Sequence, residues 1–197
     1  IRIDFTNKDL TSIKQFNGSS IFYEIALENN NIYGFATTFS SFCITNEQCI
    51  KSEEIWYPPY FGFSYNLESD EVYAFDEYFT LENGSMNNAE LLTNDNIAFC
   101  ANFEGEINID GNEFDGQGRD ESLVAFMNKW GEVYDIIHFT PSTSNEYAAV
   151  KPYAIEQTND STMIIAGGFQ YDFLVDENTV VSSKGYYDGF VYMRSFK

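Results

Sequence analysis

The fold is decided by residues Ile97–Phe139, IAFCANFEGEINIDGNEFDGQGRDESLVAFMNKWGEVYDIIHF. It contains three short runs of apolar residues, Ile97–Phe103, Leu123–Met127 and Val133–Ile137, parted by polar turns that carry glycine. Runs of this length, rich in aromatic and branched side chains and bounded by turn-formers, read as β-strands. Asp110-Gly111 reads as a two-residue hairpin turn, since both residues tolerate a left-handed backbone.

Moving outward, the same order of runs recurs on both sides. Before Ile97 comes Ala89–Leu92 and an Asn-rich tip, Thr93–Asn96. The pair of runs joined by such a tip appears earlier as Tyr23–Leu27, Glu28–Asn31 and Ile32–Phe39, and later as Tyr153–Glu156, Gln157–Ser161 and Met163–Phe169. On this reading Phe39, Phe103 and Phe169 close the second strand of each unit, 64 and 66 residues apart. A third strand follows at Phe61–Tyr65, Leu123–Met127 and Phe190–Met193, and a fourth at Val72–Phe75 and Val133–Ile137. The N-terminus supplies the complement: Ile1–Phe5 reads as a third strand and Leu10–Phe16 as a fourth.

Four short antiparallel strands repeated about every 60 residues describe the blades of a β-propeller, in which each sheet buries its faces against its neighbours. The expected fold is therefore all-β, a propeller or partial propeller. Residues 1–19 end one blade, 20–84 and 85–145 form two more, and 146–197 form an incomplete one. A β-sandwich or β-solenoid built from the same strands is the competing architecture. A closed ring takes four to eight blades. The chain therefore reads as part of a longer polypeptide, or as one of several chains that complete a ring.

The strand order, the Asn-rich hairpin and the Gly/Ala-x-Phe ending of the second strand resemble the bacterial β-propeller repeat family. Ile97–Asp110 with Leu123–Phe139 carries the resemblance best, followed by Ala166–Phe169 and Gly189–Met193; Lys51–Tyr60, with Trp56 and Pro58-Pro59, departs from it. The resemblance implies a secreted or surface-bound scaffold and brings no catalytic residues.

Composition narrows the function classes. Thirty-one acidic residues against ten basic ones give a net charge of −21, which repels nucleic acid and anionic lipid. No apolar run approaches the roughly 18 residues of a membrane helix. Cys43 and Cys49 flank a segment matching the Asp110-Gly111 hairpin of the next unit, so a disulfide across its arms is expected, which favours an oxidising compartment. Cys100 lies within an apolar strand and reads as core. His138 is the only histidine, which leaves zinc or Ser–His–Asp chemistry without partners.

Asp110, Asn112 and Asp115 form the one oxygen-rich, glycine-rich turn that calcium would favour, although the spacing is not that of an EF-hand. Sequons at Asn17, Asn83 and Asn159 are glycosylation candidates. Trp56, Tyr57 and Tyr60 sit in an aromatic–proline loop suited to anchoring a partner. The function expected is a non-enzymatic extracellular or surface scaffold that binds other protein chains or further blades. A carbohydrate- or calcium-dependent binding module is the alternative, and a propeller hydrolase with channel carboxylates a second one.

Overall fold

A computed structural model of the chain describes residues 2–7, 10–15, 17–28, 31–43, 49–51, 59–69, 71–80, 84–92, 96–116, 120–128, 131–143, 145, 147–176 and 179–195. Every regular element among them is a β-strand and every named pairing is antiparallel. The chain divides into two compact units, Ile1–Thr80 and Leu81–Lys197.

In the first unit, β1 (Arg2–Asn7) and β2 (Leu10–Gln15) form a hairpin. A second sheet follows the order β3 (Asn17–Glu28), β4 (Asn31–Cys43), β6 (Pro59–Asn66) and β7 (Glu71–Thr80), with β5 (Cys49–Lys51) paired to β4. Its core is aromatic: Phe42 lies 4.9 Å from Phe61 and 5.6 Å from Phe63, and Phe22 meets Phe42 edge-on at 5.7 Å. Such pairs add about 0.5–1.5 kcal/mol each beyond the area they bury. Phe63 lies over Gly34, where any side chain would collide with its ring.

In the second unit, β8 (Gly84–Leu91), β9 (Ile97–Phe103), β12 (Glu121–Met127) and β13 (Val133–Pro141) pair in that order. Between β9 and β12 stands the hairpin of β10 (Glu106–Ile109) and β11 (Asn112–Asp115). Its turn is Asp110-Gly111, with φ of 51° and 78°, the left-handed pair that a two-residue hairpin requires. Next come β14 (Ala149–Asn159), β15 (Thr162–Gln170) and β18 (Asp188–Ser195), a three-stranded sheet in that order. Between β15 and β18, β16 (Phe173–Asp176) and β17 (Thr179–Val181) form a hairpin that extends the previous sheet by pairing β16 with β13.

The same meander is thus written three times: β3-β4-β6-β7, β8-β9-β12-β13 and β14-β15-β18. Each holds an extra strand or hairpin between its second and third strands. Register aligns the copies residue by residue, because Ala36 faces Phe61, Ala101 faces Leu123 and Gly167 faces Phe190. Among the described residues no sheet closes on itself.

This alignment corrects one expectation. The residue equivalent to Phe103 and Phe169 is Thr38, not Phe39. Thr38 is fully buried, whereas Phe39 is 37% exposed. A shift of one residue in a strand moves the side chain to the other face, so an aromatic at nearly the right spacing is not an equivalent aromatic.

Candidate functional site

The most informative feature is a β-bulge that recurs in the first strand of every meander. Opposite Ala36 the first strand offers Phe22, then skips Tyr23. Opposite Ala101 it offers Met86, then skips Asn87. Opposite Gly167 it offers Pro152, then skips Tyr153. A bulge re-aims the extra side chain and tightens the local twist. The partner residue is small each time, and at Gly167 a Cβ would overlap the Lys151 carbonyl.

Asn87, the extra residue of the second meander, is aimed at β14. Its amide donates to the Pro152 carbonyl at 2.8 Å and to Asn102 Oδ1 at 2.6 Å. Ser122 donates its hydroxyl to the Val150 carbonyl, with Asn102 Oδ1 3.1 Å from the same hydroxyl oxygen, and the Cys100 thiol points to the Pro152 carbonyl at 3.5 Å. Around this polar latch the apolar side chains close: Ala98, Cys100, Val124 and Phe126 from one sheet and Val150, Ile155, Met163 and Ile165 from the other. Burial pushes the Cys100 thiol up to about 12, so it stays protonated and serves as a donor. Backbone groups that β14 turns toward its neighbour thus find partners, as buried carbonyls must.

The corresponding positions of the third meander face solvent. Tyr153 is 51% exposed, Val191 73% and Met193 63%. Tyr153 and Tyr187 bring their hydroxyls to 3.3 Å, and the Tyr187 ring lies over Gly168. Their hydrogen bond holds the Tyr187 phenol above its usual range. Tyr187 is presented by a loop ordered around Asp188, whose carboxylate accepts from the Ser183 hydroxyl and from the Lys184 and Gly185 N–H groups. Those donors hold Asp188 below the usual carboxylate range.

Beside this face, Lys151 pairs with Asp120 at 2.6 Å. Glu104 shares a hydrogen bond with Asp120, and that contact raises its pKa. Hydrogen-bonding carboxyl groups are too close for a glycosidase pair, which needs about 5 Å or more between them. Glu121, buried, meets His138 at 2.7 Å, and Phe103 stacks on the imidazole at 5.7 Å. The only histidine is thereby held between a carboxylate and a ring.

The residues singled out from the sequence fall as follows. Cys43 and Cys49 pair across β4 and β5 and are joined by a disulfide. Asp110 accepts from the Val133 N–H at 2.9 Å, and the Asn112 amide donates back to the Ile109 and Asp110 carbonyls. Asp115 stands opposite Glu106 at the far end of β11, about 10 Å from Asn112 by strand rise. Among the described residues no three of His, Cys, Asp and Glu converge as a metal site.

Asn17 opens β3, and Asn159 is exposed but accepts from both the N–H and hydroxyl of Ser161. Asn83, Trp56 and Tyr57 lie outside the described residues. Tyr60 is not a rim anchor: it is 4% exposed, within β6, with its ring 5.9 Å from Tyr23. Strand β6 begins at Pro59 and carries Tyr60 inward, opposite Thr37. Tyr153 and Tyr187, both solvent-facing, were not legible as a pair, because the Asp188 loop brings them together across more than thirty residues.

No known family model, curated protein or solved structure matches the chain. Among the described residues no helix is long and apolar enough to cross a membrane.

Proposed function

We propose that the chain is a non-enzymatic interaction scaffold of propeller-type blades that works outside the cell or at its surface. The observation that carries this reading is the seating of β14 on the second meander through Asn87, Asn102 and Ser122, at a bulge that all three meanders share. A sheet seated on the one before it by side chains that grip its backbone, rather than around a reactive group, suits a protein whose product is a surface. The Cys43–Cys49 disulfide supports an oxidising compartment. Electron micrographs of the assembled particle test the architecture. Discs with a central channel are expected; elongated rods or a compact two-layer body would overturn it.

A second reading, glycan binding, is favoured by Tyr153 and Tyr187, exposed beside the Asp120–Lys151 pair. A glycan array run with and without calcium separates the two, since saturable, specific sugar binding lost on Tyr187→Ala would favour the second.

A further inference from the structure

We propose that the outer face of β14-β15-β18 seats the first strand of a further sheet of this same repeat, with the Tyr153 and Tyr187 hydroxyls latching its backbone carbonyls. The inference rests on the repeat-scaffold reading and names the partner that such a scaffold takes. Register supplies the match. Val191 occupies the place of Val124, Met193 that of Phe126, and Tyr153 that of Asn87. On the second meander those three places are covered by β14; on the third they are open.

Chemistry says what fits. The outward positions of β15 and β18 on this face are uncharged in a chain of net charge −21, namely Ile164, Ala166, Gly168, Gly189, Val191 and Met193, while the edge strand β14 sets Lys151 and Glu156 beside Gly168 and Ile164. An apolar strip along two strands of so acidic a protein, bordered by charge only at the β14 edge, is a surface suited to being covered. The strand that covers the equivalent strip runs Ala148-Ala149-Val150-Lys151-Pro152. Small side chains let its backbone approach, and it offers the carbonyls of Val150 and Pro152 to side-chain donors. On the third sheet the donors are phenols. They reach further than Asn87 and Ser122, and the glycines at the places of Asn102 and Ser122, Gly168 and Gly189, leave room for the rings. The occupant is therefore a sheet whose first strand is small-residue-rich and carries a proline before its bulge.

Met193 reports the outcome, because it is the exposed one of four methionines; Met86, Met127 and Met163 are buried. The test appends a second copy of residues 128–197 after the full chain, which supplies a fourth strand for the third sheet and a further sheet beyond it. Under dilute hydrogen peroxide, about half of the Met193-bearing peptide should resist oxidation at least tenfold more than in the unextended chain, with Met163 protected throughout as the control for folding. Val191→Glu in the first copy should return that copy's Met193 to the fast rate, and Tyr153→Phe with Tyr187→Phe should do so in part. Equal, fast oxidation of both Met193 copies in an extended chain whose Met163 stays protected overturns the inference. So does protection in the unextended chain that grows with concentration, which assigns the face to a second copy. Protection without ring-shaped particles would sink the scaffold architecture alone; rings with unprotected Met193 would sink this inference alone.

Discussion

The second and third meanders share strand order, bulge position and register, yet one has its outward face covered and the other does not. At the place where Phe126 is buried, Met193 stands in water; where Asn87 grips a carbonyl, Tyr153 meets another phenol. The difference teaches that the residue types follow the environment and the geometry follows the repeat. On the second meander the polar latch and the apolar fill surround the strand they hold; on the third the same places carry longer side chains that face solvent.

The largest expected effect separates these two faces. Phe126→Ala should destabilise the second unit by about 3–5 kcal/mol, as emptying a packed aromatic site does. Met193→Ala, at the equivalent place, should change stability by no more than about 0.5 kcal/mol. Urea unfolding of the two variants checks this, and similar losses would erase the distinction.

Glycines sharpen it next. At Gly167 a Cβ would overlap the Lys151 carbonyl and press on Pro152, so Gly167→Ala should cost about 1–3 kcal/mol although its counterpart is Ala101. At Gly168 the obstacle is the Tyr187 ring, 2.7 Å from the added carbon. That ring belongs to an exposed side chain and can swing away, so Gly168→Ala should cost well under half as much. Thermal melts of the pair decide it.

In the first unit, reduction of Cys43–Cys49, which stand six residues apart, should lower stability by about 2 kcal/mol, the entropy of a short closed loop. Exchange of amides in β4 and β6 gives the readout, and amides of β9 and β12 should be unaffected.

The last effect is confined to alkaline pH, leaves stability near neutrality untouched, and concerns Cys100. Its folded pKa, about 12, lies above the ordinary value of 9.0. The protonated thiol therefore contributes stability in full below pH 9, and that contribution is lost as pH rises from 9 toward 12. Cys100→Ala should flatten this alkaline limb. In the native chain at pH 8 the thiol should also resist alkylation until denaturant is added.

Much of the fold was legible. The Asn-rich tips, the apolar runs and their spacing give the strands and their order, because hairpin turns and pleat periodicity are local properties. The bulge was not. Tyr23, Asn87 and Tyr153 have no common chemistry in the sequence; they are equivalent only through the cross-strand register, which is set by tertiary pairing. The same holds for Thr38, where spacing favoured the neighbouring Phe39. The docking face was hidden for a related reason: Val191 and Met193 alternate with the core residues Phe190 and Tyr192, so one apolar run, Phe190–Met193, conceals two faces of opposite fate. Tyr60 went the other way, since an aromatic–proline context suggested a loop where the chain had already entered a strand.

Everything depends on the third sheet's outward face being open while its counterpart is closed. Methionine oxidation of the native chain tests that most directly. Met193 should be oxidised by peroxide at close to the rate of a free methionine, with Met86, Met127 and Met163 slower by at least tenfold. Protection of Met193 equal to that of Met163 would contradict the account.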